Sequence, residues 1–414
     1  MLRIRRLYWP HVFLIPLLHL LACVLLVATH AFAQGLPTEA ISVANGRVVF
    51  GGEVFVTAGE EDPGWFNYTG YEYNALRNFR ASLSTEVRPS SHVQFLAEIR
   101  LDHGEHLSAY AMFMRVRPWP ERRFDVQVGR VPPTFGAFTR TIYAYENVVI
   151  GQPLAYQYLL ILRTDAVPSN ADDLLVQRGN GWLTQYPVGS SERTTGLPVF
   201  NNNRYDTGVQ VHGVKGPFEW TGAVTTGSLS DPRLSDNNGR PQLAGRAIVQ
   251  LGPAIKVGAS GARGAWLDNS LNPDLPRGET ASDFRQAAWA VDAEASAGRW
   301  LARAEFLQSS WQLPELRAPY ITAPITARSL IVEARVKLLP SLSIAGRGDV
   351  LTFDDLAGSR ETLPWEAPTR RFEGALTFKV TRNVNFKTAV QWNKRDGGRV
   401  RHDTLLAGQI VYWF

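Results

Sequence analysis

The chain closes on Ala407-Gly408-Gln409-Ile410-Val411-Tyr412-Trp413-Phe414, a period-2 stretch that stops on an aromatic residue. Counted back by twos from Phe414, Tyr412, Ile410, Gly408 and Leu406 make one mostly apolar face, as a lipid-facing strand requires. The other face, Trp413, Val411, Gln409, Ala407 and Leu405, is less clean, so a core strand of a soluble protein stays open on this segment alone.

The opposite end of the chain addresses that choice. Residues 1–33 carry Arg3, Arg5 and Arg6, then an apolar run from Leu14 to Ala28, then Ala31-Phe32-Ala33 before Gln34. This pattern predicts a secretory signal peptide cleaved after Ala33, followed by a short segment, 34–45. The apolar run is short for a spanning helix. Leu20-Leu21-Ala22-Cys23 resembles a lipoprotein box, but cleavage there would leave apolar residues behind the cysteine. Cys23 is the one cysteine, so a mature chain starting at Gln34 has no disulfide or thiolate metal site. The chain holds 43 basic and 38 acidic residues, and removal of the three leader arginines leaves 40 against 38. No Lys/Arg-rich arm stands out, and no nucleic-acid partner is expected.

Beyond the leader, segments of about ten residues alternate polar with apolar, the repeated signature of barrel strands. Gln94, Glu98, Arg100 and Asp102 interleave with Val93, Phe95, Ala97, Ile99 and Leu101. Arg371, Glu373, Thr377 and Lys379 interleave with Phe372, Gly374, Leu376, Phe378 and Val380. The reading predicts an all-β fold, a transmembrane antiparallel β-barrel over 46–414. Its strands fall at roughly 46–57, 77–87, 92–102, 106–117, 123–131, 204–214, 217–227, 240–251, 254–266, 284–297, 299–311, 327–339, 341–353, 370–381, 383–393 and 403–414. Tight turns such as Gly252-Pro253, Gly298 and Pro340 alternate with mostly longer connections, which places the turns on the periplasmic side and the longer loops outside. Sixteen strands leave room for a water-filled channel. The third outer connection, about 132–203, either folds into the lumen and narrows it or hides a further hairpin near 156–163 and 174–184, which would make 18 strands.

Val128-Gly129-Arg130-Val131-Pro132-Pro133-Thr134-Phe135-Gly136 resembles a segment of phosphate-selective porin relatives, and the chain as a whole resembles a general outer-membrane porin. That resemblance implies a passive channel for small hydrophilic solutes or ions, a long third loop inside the barrel, a homotrimer, outer-membrane lipid around it, and the barrel assembly machinery as a partner that reads Phe414. The chain lacks the dense Lys/Arg ladder that phosphate selectivity would need.

With polar faces turned inward, Arg100, Arg115, Arg117, Arg204, Arg246, Lys256, Arg303, Arg335, Lys337, Arg347, Arg371, Lys379 and Lys387 line the lumen against Glu98, Asp102, Asp125, Asp206, Glu219, Asp292, Glu294, Glu305, Glu333, Asp349 and Glu373. Mixed signs with a slight basic excess predict weak anion preference at most. For any one of these charges, pairing with a cross-strand neighbour is a commoner role than a dedicated solute contact. Arg130 and Arg140 would line a constriction if the long loop enters the pore. Trp119, Trp220 and Trp300 near the periplasmic turns, and Trp266, Trp311 and Trp392 near the outer strand ends, are expected to form two interfacial girdles with Phe414.

Catalysis is the competing class. Asp102-His103-Gly104-Glu105-His106 has metal-capable side chains, yet it reads as a hairpin tip. No nucleophile elbow, zinc-binding helix or phosphate loop is visible, and no cofactor or metal is expected. A barrel hydrolase acting on lipid or peptide, and a surface or adhesion barrel with a plugged lumen, remain the alternatives.

Overall fold

Sixteen antiparallel strands, each hydrogen-bonded to the next, close on themselves in the computed structural model, which describes residues 36–69, 73–119, 121 and 123–414. The predicted leader, with Cys23, lies outside the described residues. The strands are β1 (Val48–Gly59), β2 (Phe79–Val87), β3 (Val93–Asp102), β4 (His106–Val116), β5 (Phe124–Val131), β6 (Asp206–Lys215), β7 (Phe218–Thr225) and β8 (Gln242–Leu251). They continue as β9 (Ile255–Ala265), β10 (Arg285–Ala297), β11 (Trp300–Trp311), β12 (Ile325–Leu339), β13 (Leu342–Phe353), β14 (Thr369–Thr381), β15 (Val384–Arg395) and β16 (His402–Trp413). Every one begins and ends within about two residues of its expected span, because a strict two-residue period fixes strand identity well.

Closure runs through the segment that opened the reading. β16 pairs with β1 from Glu53↔Trp413 to Gly59↔Ala407, and Phe414 exchanges backbone hydrogen bonds with Gly52 at 3.0 and 3.1 Å. Leu405, Ala407, Gln409 and Val411 point inward and are buried, while Leu406 and Ile410 point outward and are exposed. The same division holds around the barrel. Outward positions such as Val56, Phe95, Val128, Val257, Leu330, Ile344 and Phe372 form an exposed apolar sheath. A sheath of this extent suits a lipid surround. No helix among the described residues is long and apolar enough to cross a membrane, a statement that does not bear on spanning strands.

Three features depart from simple alternation. Residues Ile41–Val43, within the segment expected merely to lead into the barrel, fold back on Val48–Phe50 through a turn whose Ala44, Asn45 and Gly46 all have positive φ. A bulge sets Glu98 opposite Ala111 and Ile99 opposite Ala109, so Tyr110 and Ala111 are both buried and the inward phase of β4 switches. That switch is what turns Arg115 and Arg117 inward. Third, the eighteen-strand alternative fails: 156–163 and 174–184 form no barrel hairpin. The long connection between β5 and β6 holds instead two short helices, Leu154–Gln157 and Ala171–Val176, and a two-residue pairing of Ala166–Val167 with Val188–Gly189.

Candidate functional site: the lumen and its third loop

The loop between β5 and β6 starts from the Val128–Gly136 segment. Gly129 has φ +127°, and a Cβ there would lie 2.5 Å from the carbonyl oxygen of Met112. Gly136 then sends the chain across the barrel, donating its N–H to Ser260 Oγ at 3.1 Å. Ala137 N–H follows onto Glu305 Oε2 at 2.5 Å, and Tyr156 donates its hydroxyl to Glu305 Oε1 at 2.7 Å. Burial and the neighbouring Glu305 carboxylate hold the Tyr156 phenol well above its ordinary pKa, so it acts as a donor. Around this anchor Phe135, Phe138, Tyr156 and Phe200 form a buried aromatic cluster, with Tyr156 and Phe200 edge to face at 4.9 Å.

The next stretch of loop is held by charged side chains from the opposite wall. Lys387 donates to the carbonyl oxygens of Ala144 (2.6 Å), Asn147 and Val149 (3.3 Å). Glu373 Oε1 accepts from the N–H of Ile150 (2.9 Å) and of Gly151 (2.7 Å). Arg347 donates to Gly151 O at 2.7 Å, Arg371 to Gln152 O at 2.9 Å, and Glu53 accepts from Tyr145 N–H at 2.9 Å. Such charge-assisted bonds satisfy loop backbone groups that the barrel interior would otherwise leave orphaned. Outside the barrel wall, Glu366, in the loop between β13 and β14, accepts from Ile161 N–H (3.0 Å) and Gly179 N–H (2.6 Å). Burial pushes the Glu366 carboxyl up to about 7.

The expected lumen charges divide into groups. Glu333, Arg347, Asp349 and Glu373 form a buried cross-strand network, with Arg347 within 3.3–3.6 Å of all three carboxylates. Arg303 bridges Glu294 and Glu333, and Arg246 lies 2.8 Å from Asp292. Arg115 and Arg117 are half-buried near Asp125, which also faces His212. Arg335 is half-buried, and Lys337 is exposed at the turn end of β12.

On the wall made by β2 to β5, Arg80 pairs with Asp102 at 2.6 Å and Arg100 with Glu98 at 2.6 Å. The Arg100 guanidinium lies 3.1 Å above the centre of the Tyr110 ring. Arg80, Arg100, Asp102 and Tyr110, with Arg130, Arg204 and Asn203, bound a cavity of about 380 Å³. Arg130 sits out of phase with the inward residues Asp125 and Gln127. Its side chain is tied instead to the carbonyl oxygens of Tyr205 (3.1 Å) and Ala109. Arg140 is 65% exposed and paired with Glu146.

Two expected girdle residues are misplaced. Trp266 and Trp311 are each 1% exposed, so neither reaches a lipid boundary. Trp266 donates its indole N–H to Gln312 O at 2.9 Å, and Trp311 packs edge to face on Trp365 at 6.0 Å. Both lie where the outer loops fold over the barrel end, and burying a large ring there outweighs an interfacial position. Trp119, Trp300 and Trp392 are exposed, and Trp220 and Phe414 are half-buried. Glu53, Arg80, Tyr110 and Glu366 escaped the sequence-based site. Glu53 was findable as a single charge inside the apolar run Val48 to Val56 and Arg80 only by its inward phase; Glu366 carries no periodic signal. At the 102–106 tip, Asp102 is committed to Arg80, the His103 and His106 rings lie near Tyr73, and no metal-binding group of three occurs among the described residues.

No family model and no curated protein matches this chain. Solved structures do. OmpF of Salmonella typhi, in complex with daunomycin, matches with a TM-score of 0.55 at 14% identity, covering 91% of this chain and 100% of its own. An anion-selective porin from Comamonas acidovorans matches at 0.53 and 10%, covering 91% and 100%. A loop-L8 deletion form of OmpT, an outer membrane protein of Vibrio cholerae, matches at 0.54 and 11%, covering 89% and 99%. At these identities the likeness is one of fold: the chain has the porin-type barrel.

Proposed function

We propose that this chain is an outer-membrane channel for passive diffusion of small hydrophilic solutes or ions. The observation that carries this reading is the opposition of two faces around one closed sixteen-stranded wall: apolar outward, and charged inward with a loop anchored across the lumen. A hydrolase would need convergent catalytic groups; the inward charges here hold one another or the loop. Export through the 1–33 leader and a trimeric assembly belong to the same reading.

Loop backbone takes up the charges of β13 to β15, whereas on β2 to β4 the loop touches Arg80 and Glu98 beside a cavity of about 380 Å³, so passage runs along β2 to β5 and past Arg115, Arg117, Arg246 and Arg303. Because Asp102 and Glu98 offset Arg80 and Arg100, the expected selectivity is a weak anion preference, without phosphate specificity. Single-channel recording of refolded protein under a salt gradient tests this. Stable conductance steps with a small reversal potential of anion sign are expected. Folded protein without conductance would favour a plugged barrel, the reading that the extent of loop burial supports second.

A further inference from the structure

On the lipid-facing side of β12 to β15 lies a groove of about 440 Å³, apart from the lumen. Its floor is made by absence of side chain at Gly348, an outward position of β13 where a Cβ would meet nothing within 4 Å, while the Phe372 ring lies over the preceding outward glycine, Gly346. Leu330 and Val332 form one bank. Phe372 and Trp392, stacked at 5.5 Å and 30°, form the other. At the loop end of the groove stand Arg370 and Lys394, directly paired across β14 and β15, with His402 next on β16. Both cations are exposed and point outward, and neither has an ion-pair partner among the described residues. Their rim neighbour Arg328 is by contrast paired with Asp354.

We propose that this groove binds a phosphorylated acyl lipid of the leaflet on the long-loop side, with an acyl chain along the glycine floor and a phosphate against Arg370 and Lys394. An outward apolar trench at strand depth fits a hydrocarbon chain, and unpaired basic groups at headgroup level recognise phosphate, arginine by its fork and lysine as a point charge. A second copy of the barrel would have to bring carboxylates to the same spot. The inference shares with the channel reading only the premise that the barrel spans a membrane.

Native mass spectrometry of the purified, refolded chain, titrated with bis-phosphorylated lipid A and with the same lipid dephosphorylated, tests the site. One tightly held phosphorylated lipid per barrel is expected, weakened about tenfold or more by Arg370→Ala with Lys394→Ala. Gly348→Leu, which fills the floor while keeping both cations, should weaken it comparably. Equal binding by wild type and all variants, or equal binding of the dephosphorylated lipid, would overturn the proposal. A preparation in which lipid instead gives way to oligomers, lost in the charge variants, would point to a second copy as occupant and overturn it too. Conductance recorded on the same preparations separates the two readings, since none of these side chains faces the lumen.

Discussion

Two stretches of one wall carry the same alternation of charge and put it to different use. On β13 to β15 the inward charges are buried and bound to loop backbone: Lys387 holds three carbonyls and Glu373 two N–H groups. On β2 to β5 the inward charges pair with one another and bound a cavity of about 380 Å³. Inward phase therefore says that a residue faces the lumen, not that it faces water. What decides is how the third loop meets it: on β13 to β15 its backbone takes up the charges, whereas on β2 to β4 it adds only Ile142 O on Arg80 (3.4 Å) and the Tyr143 hydroxyl on Glu98 (2.7 Å) beside the cross-strand pairs.

The strongest way to break this contrast is to remove Lys387. Its Nζ is the common donor for Ala144, Asn147 and Val149, and a hydrogen bond to a charged group contributes about 1.5–3 kcal/mol. Lys387→Met keeps the chain's bulk but leaves three buried carbonyls without that donor. We expect the loop to detach at 144–151, seen as larger and noisier conductance steps and as new protease cleavage in that stretch. A variant with wild-type steps and an uncut loop would mean that the loop is held elsewhere, and the two walls would not differ in the way described.

The strands were legible because period-2 alternation runs through them, broken in mid-strand at the β4 bulge, and the inward or outward phase of β16 could be read from Tyr412 and Ile410 alone. The loop was not legible in the same way. Its anchors join side chains to backbone groups from 92 residues away, as Glu53 to Tyr145, to 243, as Lys387 to Ala144, and no local pattern encodes such a contact. The bulge at Tyr110 shifted a phase that strict alternation would have carried through. Trp266 and Trp311 were placed at a boundary because they sit at strand ends, but strand ends beneath folded loops are interior. Arg130 shows the reverse case: it was expected at a constriction and does bound the cavity, though from an out-of-phase position.

Glu366 sharpens the comparison from the loop's outer end. Its carboxyl is raised from an ordinary value of 4.5 to about 7 by burial, with Arg395 nearby and Ile161, Gly179 and Ala367 donating to it. A raised folded-state pKa contributes stability that is full below about 4.5 and lost as pH rises through about 7. The shift corresponds to about 3 kcal/mol at most, so protection of the Ile161 and Gly179 amides, corrected for intrinsic exchange, should fall by up to about a hundredfold between pH 5 and 8. Glu366→Gln should flatten that profile. Parallel profiles for the two proteins would show that the clamp does not titrate.

The smallest expected effect tests the open wall. Arg130 bounds the cavity, and its guanidinium is bonded to backbone carbonyls, which leave its charge uncompensated. Arg140 is neutralised by Glu146 and does not bound that cavity. Replacing Arg130 with Gln should therefore lower the anion-to-cation permeability ratio by about twofold, because a charge on the solute path sets local ion occupancy. The paired replacement Arg140→Gln with Glu146→Gln removes no net charge and should leave the reversal potential unchanged. If the pair shifts it as much as Arg130 does, solutes pass along the loop's exposed edge rather than the β2 to β5 wall. The division between a covered and a solute-facing wall would then have to be redrawn around Arg140.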